Sequence, residues 1–103
     1  MARRRVIYAP EAQQDLYQLY SYLSGQAGPQ RARTYTARIE THCLGFAEFA
    51  ERGTRRDELR PGLRTVGFER RVTIAFHVTP EFVVIDRILY GGRDLGAAFG
   101  EDD

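Results

Sequence analysis

The chain has 103 residues, 43% hydrophobic and 28% charged, with one cysteine and two histidines. That is room for one domain spanning residues 1–103; it excludes an internal disulfide and leaves too few soft ligands for a zinc site, so neither metal nor cofactor is expected. No apolar run approaches the ~20 residues of a membrane span, and the run after "MARRR" is too short for a signal peptide, so a cytoplasmic protein without membrane contact is the expectation. Net charge is +1 and all fifteen basic residues are arginine; the surplus is +3 over residues 1–9 and +4 over 52–71, against −2 over 10–51 and −4 over 72–103.

Residues 3–8, "RRRVIY", read as a short strand, β-prone at Val6, Ile7 and Tyr8. Pro10 suits the first helical position and Glu11 the first turn, while Ala9 is a poor cap. The helix is predicted to run to about Ser24, with Ala12, Leu16, Leu19, Tyr20 and Leu23 on one buried face and Tyr17 and Tyr22 off it. "SGQAGP" is the expected turn. Pro29 opens a second helix, predicted to reach about Glu51 with Gly45 inside it, and its stripe is Ala32, Tyr35, Ile39, Cys43, Phe46 and Ala50. Leu44 lies off that stripe. Gly53 suits a helix stop. Two helices joined so tightly form an antiparallel hairpin.

After the polar connection "RGTRRDELRPG", three strands are predicted at about 63–68, 71–78 and 82–90. In the middle one Val72, Ile74, Phe76 and Val78 face one way, and Arg71, Thr73, Ala75 and His77 the other. "FVVIDRILY" is apolar on both faces, which suits an interior strand. Asp94 is placed to cap a short helical turn over Leu95–Phe99, and residues from about 96 to 103 read as a mobile acidic tail. The order implies an α+β fold: an N-terminal strand, an antiparallel helical hairpin and a three-stranded antiparallel meander joined into one sheet, with a short C-terminal helical turn.

The segments "APEAQQDLYQLYSYL", "RDELRPGLRTVGF", "VTIAFHV" and "IDRILYGGRDL", in this order, resemble the RelE/ParE toxin superfamily over about Val6 to Leu95. "DELRPGLR" and "GGRDL" resemble the ParE branch, while Tyr90 stands where many relatives have histidine, and Phe76-His77 where Tyr-Arg is common. The resemblance implies the toxin half of a type II toxin–antitoxin module. ParE-like members are regarded as non-enzymatic poisons of DNA gyrase that block replication; RelE-like members are ribosome-dependent mRNA endoribonucleases. Either is neutralised by an antitoxin that folds on it. For the ParE branch this would be a ParD-like antitoxin, which carries the DNA-binding fold, so the toxin meets DNA only indirectly.

Metal-free RNA cleavage needs a base, cations on the phosphorane-like transition state, and an acid. Arginine can bind the phosphate but cannot take a proton, and the chain has none of the lysines on which RelE-like enzymes lean. A nuclease would have to draw on Glu69, His77, Arg64, Arg87 and Tyr90. A docking protein needs only a surface. Arg64, Arg70 and Arg71 beside Phe68, with Arg87, Tyr90 and Arg93, supply arginine and aromatic anchors for a target. Arg87 is equally suited to an ion pair, for instance with Asp94. Tyr17, Tyr22 and Leu44 are the expected antitoxin contacts. The favoured expectation is a non-catalytic gyrase inhibitor. The mRNA endonuclease is the alternative, and an inert member that only binds antitoxin the second.

Overall fold

A computed structural model describes residues 3–92 and 95–99. The elements are β1 (Arg5–Tyr8), α1 (Pro10–Ala27), α2 (Pro29–Leu44), β2 (Thr54–Arg55), β3 (Arg64–Phe68), β4 (Val72–Val78), β5 (Phe82–Tyr90) and α3 (Leu95–Ala98). Strand order is β1-β5-β4-β3-β2. The meander β3-β4-β5 is antiparallel as expected, but β1 runs parallel to β5, with Arg5 opposite Phe82 and Tyr8 opposite Ile85. The sheet is therefore mixed. The short strand β2, which the sequence reading lacks, pairs with β3 at the far edge.

The helical hairpin is tighter than predicted. α1 continues through "GQA" because nothing there stops it until Gly28, whose φ of 97° ends the helix. The Gly28 N–H donates to the Ser24 carbonyl and its own carbonyl accepts from Ala32, so one residue closes α1 and opens α2 at Pro29. α2 in turn is shorter than predicted. Gly45 does not lie inside it but begins a 3₁₀ turn, Gly45–Ala47. Phe46 and Ala50 are nonetheless buried, as the stripe requires, because the irregular backbone still carries them inward. Arg52 makes that irregularity tolerable: its guanidinium donates to the carbonyls of Gly45, Glu48 and Phe49 and lies 5.0 Å over the Phe46 ring. Gly53 is not a helix stop. A Cβ there would come within 2.3 Å of the Thr65 carbonyl oxygen, so glycine is what lets the chain lie against β3.

The core lies between the hairpin and one face of the sheet. Ala12, Leu19, Ile39, Cys43 and Phe46 meet Val72, Ile74, Phe76, Val83 and Ile85. The predicted buried alternation in β4 holds at Val72, Ile74 and Phe76, while a bulge opposite Ala75–Phe76 leaves Asp86 without a cross-strand partner. Phe99, after the single turn of α3, lies under the Arg60 guanidinium at 4.6 Å; Asp94 and residues 100–103 of the expected tail lie outside the described residues. Burial pushes the Cys43 thiol up to about 11, so it stays protonated at neutral pH. Iodoacetamide at pH 7 is expected to leave Cys43 unlabelled in the folded protein and to label it fully in denaturant; rapid labelling of the native state would contradict its place in the core.

Candidate target-docking face

The β3–β4 hairpin turns on two residues, Glu69 and Arg70. The Arg71 N–H donates to the Phe68 carbonyl at 3.2 Å, and both central residues have positive φ, 51° and 65°. This is the primed turn that matches strand twist, normally built from Asn-Gly. Side chains with a Cβ hold that conformation at a cost of about 1 kcal/mol or more each. The Glu69 carboxylate is paired with the Arg38 guanidinium on α2, and Arg38 also lies 5.3 Å over the Tyr35 ring.

Tyr35 connects this tip to the end of the sheet. Its ring meets Phe68 edge-on at 6.1 Å and Tyr90 at 6.4 Å, and Tyr90 meets Tyr22 at 6.0 Å. The Tyr35 hydroxyl is buried without a hydrogen-bond partner, and its pKa is raised by burial first and by the Glu69 charge second. Tyr90 closes β5 opposite Val72, which places it beside Arg71. A hydrogen bond with the Tyr90 phenol is the main influence holding Arg71 even further above the usual guanidinium range. Leu23, Arg31, Tyr35, Arg38, Arg71 and Tyr90 border an open groove of about 920 Å³ between the hairpin's end and the sheet.

Most arginines are occupied elsewhere. Arg3, Arg38, Arg55, Arg56, Arg60 and Arg87 pair with carboxylates, and Arg4, Arg52 and Arg64 donate to backbone carbonyls. Among the described residues Arg5, Arg31, Arg33 and Arg70 have neither kind of partner, and Arg71 has no carboxylate. Of these, Arg31 and Arg71 line the groove and Arg70 stands on the tip beside it, giving an aromatic floor with a cationic rim and no acid among the groove's lining residues.

The sequence-predicted residues fall into separate places. Arg70, Arg71 and Tyr90 come together at the tip. Arg64 is half-buried opposite Phe76 and donates to the Arg52 carbonyl at 3.2 Å. Arg87 donates through Nε and Nη2 to the two oxygens of Asp15 at 2.8 and 3.0 Å; its ion-pair partner is on α1. Arg93 lies outside the described residues. Glu69 and His77 sit at opposite ends of β4, about 20 Å apart at the usual strand rise, with Tyr90 at the Glu69 end and Arg64 at the His77 end. His77 Nδ1 is 2.7 Å from an Asp86 oxygen, and Arg60 approaches the other Asp86 oxygen at 3.8 Å. Tyr17, Tyr22 and Leu44 are exposed at 70%, 55% and 61%. Among the described residues no group of three His, Cys, Asp or Glu side chains could share a metal ion, and no helix is long and apolar enough to cross a membrane.

Sequence reasoning missed Asp15, Arg31 and Arg38 and assigned Tyr35 to the core alone. The Tyr35–Arg38 spacing of three, which puts both on one helical face, was the available signal.

No curated protein matches the sequence. Among solved structures, the chain is similar to one titled "Chromosomal ParDE TA system from P. aeruginosa", with a TM-score of 0.76 and 24% identity, over 87% of this chain and 98% of that one; the likeness bears on the fold. The family model described as "ParE toxin of type II toxin-antitoxin system, parDE" matches residues 6–95. That match runs from β1 through the sheet to the start of α3, and by it the chain belongs to the ParE toxin family of type II toxin–antitoxin systems.

Proposed function

We propose that this chain stops growth by inhibiting DNA gyrase and so blocking replication, acting in the cytoplasm as a docking protein and not as an enzyme. A ParD-like antitoxin holds it inactive, and DNA is met only through that antitoxin. The observation that carries this reading is the tip itself: among the described residues, Arg70 and Arg71 stand without carboxylate partners near Tyr90. Arginine and tyrosine in that setting anchor protein contacts, whereas arginine cannot supply the base that RNA cleavage needs. Induced in bacteria, the protein is expected to give DNA-damage signalling and filamentous cells with intact mRNA. Prompt transcript cleavage with translation arrest would contradict it.

The antitoxin reading rests on the exposed apolar side chains Tyr17, Tyr22 and Leu44. Replacing Tyr17 and Leu44 together by alanine is expected to weaken antitoxin binding about 10- to 100-fold, roughly 1.4–2.7 kcal/mol. Calorimetric titration with a cognate ParD-like antitoxin checks this, and unchanged affinity would move the contact elsewhere.

One observation favours a second reading, a RelE-like mRNA endonuclease. The Asp86 carboxylate orients His77 through Nδ1 and leaves Nε2 for proton transfer, near Arg60. His77→Ala separates the two. Under the gyrase reading growth arrest survives the substitution; under the nuclease reading it is lost.

A further inference from the structure

The tip holds a conformation that its own sequence does not favour. Asn-Gly would close the same turn without steric conflict, yet Glu69 and Arg70 occupy the left-handed region at φ 51° and 65°. What keeps them there comes from outside the hairpin. Arg38 reaches from α2, packs over Tyr35 and pairs with Glu69. The latch leaves the next residue, Arg70, projecting with no carboxylate or hydrogen-bond partner among the described residues. Backbone strain maintained by a neighbouring element characterises binding and active sites, where it fixes a side chain in advance of its partner.

The chemistry of that partner follows from charge. The groove is lined by Arg31 and Arg71 together with Tyr35 and Tyr90, and Arg70 stands on the adjoining tip, which calls for carboxylates or phosphates. A nucleic-acid surface would be expected to carry a broad cationic excess, but the whole chain is only +1. A few localised guanidiniums beside aromatic rings suit an acidic protein surface instead. We infer that the Glu69–Arg71 tip, latched by Arg38, is the contact by which this chain docks on an acidic surface of its protein target, with Arg70 and Arg71 touching the target and Glu69 and Arg38 acting as positioning residues. This rests on the reading of the chain as a toxin with a protein target.

The test uses the full chain with Arg70→Gly, Glu69→Asn and, as a control away from the tip, Arg33→Ala. Arg70→Gly removes the cation and relaxes the turn. Glu69→Asn relaxes its own position and breaks the latch while keeping both cations. Growth arrest on induction and inhibition of purified gyrase are read beside the thermal midpoint. Arg70→Gly is expected to raise Tm by about 5 °C and to weaken inhibition more than tenfold. Glu69→Asn is expected to weaken it about tenfold without lowering Tm, since asparagine's tolerance of the left-handed position offsets the loss of the Arg38 pair, and Arg33→Ala to match wild type. Higher Tm with undiminished activity would reduce the tip to an ordinary turn and overturn the inference, and so would a fall in Tm for Arg70→Gly, which contradicts strain. If wild type arrests growth but leaves gyrase untouched, the gyrase reading fails while the growth assay still judges the tip. If wild type does neither, both fall. A gel-shift of duplex DNA with the chain alone, abolished by Arg70→Gly, would make the partner DNA and overturn the acidic-protein assignment.

Discussion

Asp15→Ala is expected to destabilise the fold by about 2–4 kcal/mol, a large share of a small domain's 5–15 kcal/mol. β1 stops at Tyr8, and its last link to β5 is the Ala9 N–H to the Ile85 carbonyl. Beyond that point no strand of the described residues lies beside β5 on that edge, and the Ile88 N–H points toward α1. Asp15, only 7% exposed on α1, accepts that N–H at 2.8 Å and clamps Arg87 with both oxygens. Removing the carboxylate leaves a buried donor without a partner, about 1–3 kcal/mol, and a half-buried guanidinium without its counter-charge. Arg87→Ala leaves the Ile88 bond in place and should cost less. Asp15→Asn, which keeps a neutral acceptor, should fall between wild type and alanine. Urea denaturation measures all three, and an Asp15→Ala shift below about 0.5 kcal/mol would contradict this account of the edge. Arg87 is thereby tied to the fold, so any loss of toxicity in its variants must be read against their stability.

Reversing charge at the tip is expected to act in the opposite sense, on function with little effect on stability. Arg70→Glu with Arg71→Glu should weaken gyrase inhibition about 100-fold or more, equivalent to roughly 2.7 kcal/mol. The unfolding free energy should stay within about 0.5 kcal/mol, because both side chains are exposed. Residual wild-type inhibition should also fall as salt rises, since an exposed charged contact is screened. Undiminished inhibition by the doubly reversed variant would remove the tip from the docking face.

The sequence carried the fold through its periodicities. The alternation of Val72, Ile74 and Phe76 and the stripes of the two helices correspond to buried faces in the structure. What it did not carry was long-range or directional. Asp15 in "QQDLY" looks like solvent-facing polarity, and its partner Arg87 lies 72 residues away. A four-residue β1 has no mark of whether its neighbour runs parallel or antiparallel, and the two residues of β2 are too few to alternate. α2 was overextended because the apolar spacing through Phe46 and Ala50 outweighed the helix-weakening Gly45, although the backbone breaks there. At the candidate site, Arg70, Arg71 and Tyr90 were visible as residue types. The left-handed turn was not, because Glu-Arg carries none of the Gly or Asn signals of such turns. Arg38 was hidden for a different reason: its partner at the tip belongs to a separate part of the chain.

Gyrase inhibition is the centre of the account, and its most direct measurement is purified DNA gyrase incubated with plasmid DNA, ATP and this protein free of antitoxin. The expected result is inhibited supercoiling with accumulation of gyrase-stabilised double-strand breaks, reversed when the antitoxin is added. Normal supercoiling and no stabilised breaks, at protein concentrations that arrest growth in cells, would contradict it.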